Sequence, residues 1–162
     1  MNDAVTLEEK PYPRSLVKGL LAGMIGGLVA TAAKSVAEKI YPPRTHGEPQ
    51  PPVVLAQKVA GHELTGGQQA VAAEAIHWGF GALTGAAYGV LAEYYPAATQ
   101  KDGAAFGTAL DSLTHKTALP AMGLSAGPEE QTMREKTSEM ATHVVYGIVT
   151  ETVRRFVRKM LA

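Results

Sequence analysis

The sequence predicts an all-α protein, a bundle of about four long helices, and three observations predict it. Two segments, 15–33 and 75–92, are rich in Ala and Gly and almost free of formal charge. Prolines at 42, 43, 49, 51, 52, 96 and 120 divide the chain into helix-length pieces, because proline lacks the N–H that an interior helical turn needs. Glycines recur at every fourth position, Gly19, Gly23 and Gly27 in one segment and Gly81, Gly85 and Gly89 in another. That spacing lines small residues along one helix face and lets a neighbouring backbone approach closely.

The elements follow in order. Residues 1–14 are polar, contain Pro11 and Pro13, and read as a tail. A single helical domain then covers 15–162. Its first helix spans about 15–41, with Ser15 as N-cap and Pro42-Pro43 as the stop. Arg14, Lys18 and the apolar run that follows resemble a secretory signal. The glycine stripe argues instead for a retained helix, and from Ser15 to Ala33 it is long enough to cross a bilayer. Residues 42–67 are irregular, with one short amphipathic helix over Val53–Ala60. The second long helix covers about 68–95. The third covers about 102–119, with Asp102 as its N-cap. Lys116 falls on its apolar side and, if this helix lies in lipid, must reach an interface or a partner. The last spans about 129–161, and its Arg154, Arg155, Arg158 and Lys159 form a cationic end that suits the helix C-terminus and read as a cytoplasmic flank. Lys34 and Glu38 read as an ordinary pair on a solvated helix end.

Composition removes several function classes. Lys plus Arg and Asp plus Glu are both 15, so no basic field points to nucleic acid. There is no cysteine, which excludes disulfides, thiolate metal sites and thiol nucleophiles. No phosphate-binding loop, dinucleotide fingerprint or zinc-protease helix is present.

What chemistry the chain carries lies in three acid–histidine pairs: Glu74 with His77, Asp111 with His115, and Glu139 with His143. Residues three or four apart share a helix face, so each helix offers a carboxylate and an imidazole in one direction. Three readings stay open. The pairs are polar glue between helices; or they form an interior cluster that responds to pH or binds a small ligand or ion; or they hold a divalent metal, with His77, His115, Glu139 and His143 as candidate ligands. Glu74-Ala75-Ile76-His77 matches the E-x-x-H element of di-iron bundles, although such bundles use the element twice. A metal-dependent enzyme is the functional alternative, and a soluble or periplasmic bundle is a third reading, suggested by a mean hydropathy of -0.02.

The order of short motifs resembles the YagU-like family of small bacterial inner-membrane proteins. It runs Pro42-Pro43-Arg44, His77, Tyr88-Gly89-Val90-Leu91-Ala92-Glu93 before Pro96, His115, Leu119 to Leu124, Ser138-Glu139 with His143, and Arg154-Arg155. The resemblance implies an integral inner-membrane protein with about four spans and no assigned activity. Lipid is then the main partner, and the glycine grooves offer a surface for a homo-oligomer. Basic residues near the span ends divide eight against six, which favours both termini in the cytoplasm.

Overall fold

The computed structural model describes residues 12–45 and 47–162, and it is helical throughout, with no strand among them. Most of the expected tail therefore lies outside the described residues. Three long helices, α1 (Leu16–Ile40), α3 (Gly66–Tyr94) and α5 (Met133–Met160), make the frame. Two shorter ones attach to it: α2 (Pro51–Ala60) packs on α3, and α4 (Ala104–Leu113) packs on α5. After Leu113, α4 continues through a wide π turn, Thr114–Ala118, and one last turn, Leu119–Ala121.

Local signals set most of the ends. The Ser15 side chain accepts from the Lys18 N–H and starts α1. A capping box, Thr65 with Gln68, starts α3. Thr132, rather than Pro128 or Glu129, caps α5 through the Glu135 N–H. The expected cap of the third helix, Asp102, is not its cap. Gly103 holds that position with φ +90°, and Asp102 itself has φ 52°. The stretch Pro96–Gly103, 3-10 at its start and broken by non-helical backbone at Gln100, Lys101 and Asp102, fills the interval.

Close backbone approach explains the glycines. A Cβ on Gly85 would stand 2.5 Å from the Gly23 carbonyl oxygen and 2.6 Å from the Gly27 Cα. One on Gly89 would stand 2.1 Å from the Gly19 carbonyl oxygen. The two stripes therefore face each other within one chain, and α1 lies antiparallel to α3. A second close approach joins α4 to α5, where a Cβ on Gly107 would meet the His143 carbonyl oxygen at 2.1 Å. Helix directions alternate along α1, α3, α4 and α5, so α1 begins and α5 ends at the same end of the bundle. That end is the base; the other, where α4 ends and α5 begins, is the head.

The interior is small and polar. Its buried apolar residues are mostly alanines, with Tyr88, Tyr146, Leu124 and Val157, while Glu93, Asp111, Glu139, Glu151, Arg154 and Arg158 are also buried. The large aliphatic residues of α1 face outward instead, Leu16, Val17, Leu20, Leu21, Ile25, Leu28 and Val29 among them. Between head and base, Tyr88, Phe106 and Tyr146 form an aromatic layer, Tyr88 stacking on Phe106 at 4.2 Å. Tyr146 donates to the Gly81 carbonyl at 2.6 Å and ties α5 to α3.

Candidate functional site

Four of the six acid–histidine residues meet in the head of the bundle. Asp111 and His115 come from α4 and its π turn, Glu139 and His143 from the first turns of α5, and all four are buried. His115 Nε2 lies 3.3 Å from Glu139 Oε2. The two imidazoles stand edge to face, 5.0 Å between centroids. His143 Nδ1 is 3.8 Å from Asp111 Oδ1 and 2.8 Å from the Glu139 carbonyl oxygen. A carbonyl only accepts, so Nδ1 carries the proton and the lone pair of the ring is on Nε2.

The other pair divides. Glu74 is exposed and accepts from the Trp78 indole at 2.9 Å. His77 is half-buried at the margin, 3.2 Å from the Ser35 hydroxyl. The i, i+3 spacing does place the two side chains near each other on the helix, but that side of α3 turns partly outward.

Cations complete the cluster. Arg44, in the chain after α1, reaches Glu139 Oε1 at 2.9 Å and Glu135 at 3.5 Å. Lys34 pairs with Glu38 and stands 3.8 Å from Glu139 Oε2. The Lys34–Glu38 pair, expected on a solvated end, instead borders the cluster, with Lys34 buried. Lys116 reaches Asp111 at 3.3 Å, a partner on its own helix. Sequence reasoning omitted Lys34 and Arg44 from the site. The available signal was that Lys34 is the first charge after the uncharged run, and that Arg44 follows the double proline directly.

Pro120 accounts for how His115 is presented. In the π turn the Leu119 N–H bonds back to the Thr114 carbonyl, five residues earlier. The next donor in that register would be residue 120, which is proline and has no N–H. The His115 carbonyl is met instead by the side-chain amide of Gln131, at 3.3 Å, which also donates to the Ala126 carbonyl at 2.9 Å. The connection between α4 and α5 thereby holds the histidine-bearing turn.

A second polar network lies at the base. Arg158 bonds Glu93 at 2.5 Å and the Pro13 carbonyl at 2.8 Å, and its guanidinium covers the Tyr12 ring at 4.0 Å. Arg154 makes two bonds to Glu151, at 2.6 and 2.8 Å, while Tyr88 donates to the same carboxylate at 2.8 Å. Arg155 bridges Glu151 and Asp102. Half of the expected cationic flank is thus interior: Arg154 and Arg158 are buried, while Arg155 and Lys159 are exposed.

Fold and site together define a class: a small helical bundle with charged groups inside, large aliphatic side chains outside, and a buried acid–histidine cluster at one end. The match to known families is to one described as a protein of unknown function (DUF1440), whose model covers residues 28–152. The chain belongs to that family. No curated protein and no solved structure matches it. Among the described residues one helix, Leu16–Ile40, is long and apolar enough to cross a membrane by length and composition.

Proposed function

We propose that this is a multi-pass inner-membrane protein of YagU-like kind in bacteria, whose head chamber binds a small polar ligand or ion. One observation carries the reading: charge is inside and bulk hydrocarbon outside. A water-soluble fold buries Leu, Ile and Val and exposes Glu and Arg. Here Glu93, Glu151 and Arg158 have 0% exposure while Ile40 has 79%, Leu83 70% and Phe156 64%. Lipid is the solvent that favours such an inversion, since association then rests on close backbone packing and polar contacts.

Two features support the same frame. The long helices have 25, 29 and 28 residues, about 37–44 Å at 1.5 Å per residue, enough to cross a core of about 30 Å. Trp78 and the Tyr94-Tyr95 pair are exposed on α3 and about 24 Å apart along its axis, near the spacing of two interfacial aromatic belts. Gly81 meets Tyr146 and Glu93 meets Arg158, so α3 and α5 run in one register. That register sets His143 level with Trp78. The chamber then lies near one membrane–water interface and the arginine network near the other, with the aromatic layer between them. Helix α1 begins and α5 ends at the base, which in this reading faces the cytoplasm.

Fractionation tests it. Membranes from cells producing the protein are washed in alkaline carbonate and then in high salt. The expected result is full retention in the pellet and release only by detergent. Release by carbonate would refute the membrane reading and leave a soluble or peripheral bundle.

A further inference from the structure

We infer that the chamber ligand is a divalent transition-metal ion, held by His115, Glu139 and His143 with Asp111 beside them. This rests on the chamber reading above and specifies its ligand.

The first support is geometry. One candidate ligand atom from each of His115, Glu139 and His143 lies within 4.8 Å of the others, and all three residues are buried. Ligands at about 2.0–2.2 Å around a tetrahedral ion are themselves separated by about 3.4 Å, so closure takes shifts of the order of 1 Å, within the reach of side-chain rotation.

The second support is independent of distance. Among the described residues, the buried side-chain polar atoms lacking a hydrogen-bond partner are concentrated here: Asp111 Oδ2, His115 Nδ1, both Glu139 oxygens and Arg44 Nη2. Four of these five are atoms of a type that ligates metal. The carboxylate oxygens among them are met by ion pairs alone, with Lys116, Arg44 and His115 at 2.9–3.3 Å, and a bound cation is the alternative counter-charge for them.

The third is the hydrogen bond from His143 Nδ1 to the Glu139 carbonyl. Metal-binding histidines characteristically donate their second ring N–H to a carbonyl or carboxylate, which fixes the tautomer and strengthens the ligating nitrogen. The bond also ties one ligand residue to the backbone of another.

The neighbouring cations are accommodated by division of labour. Arg44 takes Glu139 Oε1 and also pairs with Glu135, leaving Oε2 on the side of His115. Lys34 has Glu38 as its own counter-ion. Two neutral imidazoles with two carboxylates suit zinc, iron(II) or manganese in charge and softness. Lys116, with its side chain 44% exposed on Asp111, marks the solvent side of the chamber.

The test uses full-length protein in detergent, without a histidine tag, stripped with chelator and verified as folded by circular dichroism. Co²⁺ is titrated and followed by its visible absorption, and Zn²⁺ stoichiometry is measured by elemental analysis after gel filtration. One ion per chain is expected, with affinity lowered tenfold or more in His115→Gln and in His143→Gln. The exposed His62→Gln, outside the cluster, should bind as the unaltered protein does. Absence of stoichiometric Co²⁺, Zn²⁺, Fe²⁺ or Mn²⁺, or equal binding by all variants, would overturn the inference. A thermal-melt panel of small polar compounds separates the two levels. If no metal binds but another compound raises the melting temperature in the unaltered protein and not in His115→Gln, the metal is wrong and the chamber reading stands. If nothing binds, both fall.

Discussion

Alanine in place of Gly85 should destabilise the bundle, while the same change at Gly79, six residues earlier on α3, should not. The added methyl at 85 would stand 2.5 Å from the Gly23 carbonyl oxygen and 2.6 Å from the Gly27 Cα, both backbone atoms of α1. Ordinary contact is about 3.5–4.0 Å, so α1 and α3 must separate by about 1 Å along their seam. A gap of that size forfeits about a quarter to a half of each dispersion contact, and each contact is worth about 0.1–0.2 kcal/mol. Over the few tens of atom pairs of such a seam the loss is about 2 kcal/mol, in the range of 1–3 kcal/mol for overpacked cores. At Gly79 nothing lies within 4 Å of the new methyl. There the gain in helix propensity leaves stability unchanged or raised by up to about 1 kcal/mol. Thermal melts in detergent, read by circular dichroism, give opposite signs for one chemical change on one helix. Equal midpoints for Gly85→Ala and Gly79→Ala would refute the seam.

Two other results should follow from the polar contacts. Arg158→Met removes the buried guanidinium facing Glu93 and should cost about 3–5 kcal/mol, with the double variant Arg158→Met, Glu93→Met recovering a substantial part; a double variant less stable than the single in detergent melts would contradict that. Gln131→Leu strips the His115 carbonyl of its donor and should cost about 1–3 kcal/mol. Pro120→Ala restores a backbone N–H at that point of the turn, so a double-mutant cycle should show coupling of at least about 0.5 kcal/mol, and strict additivity would sink the account of the π turn.

Much of the fold is written in local chemistry and could be read directly. Ser15, the double proline at 42–43 and the glycines at four-residue spacing act within a turn or two of themselves, and α1 begins and ends where they indicate. The seam between the stripes follows from spacing as well. What was not legible depends on partners distant in sequence. Asp102 has the chemistry of an N-cap, yet Arg155, 53 positions away, takes its carboxylate. Arg154 and Arg158 look like a membrane flank until Glu151 and Glu93 are seen to enclose them. Their i, i+4 spacing, with Glu151 three before Arg154, was a sign that went unread. For the site, periodicity put Asp111, His115, Glu139 and His143 on inward faces, but it could not say that His115 would meet Glu139 and His143 meet Asp111, or that Glu74 would turn to Trp78. Nor could it say that Lys34 and Arg44 would arrive from another helix and a loop.

The glycine seam also determines where the molecule can yield. Where carbonyl oxygens nest against α-carbons, neither sliding nor rolling is open to α1 and α3, since each small displacement drives one main chain into the other. Gly107 and Gly147 pin the first half of α4 to α5 in the same manner. Pliancy is left to the π turn after Leu113 and the connection through Gln131, secured by side-chain bonds rather than interlocked backbones. If the histidines bind a ligand as proposed, that turn is where the bundle would open to admit it, since the seams on either side are closed by backbone contact.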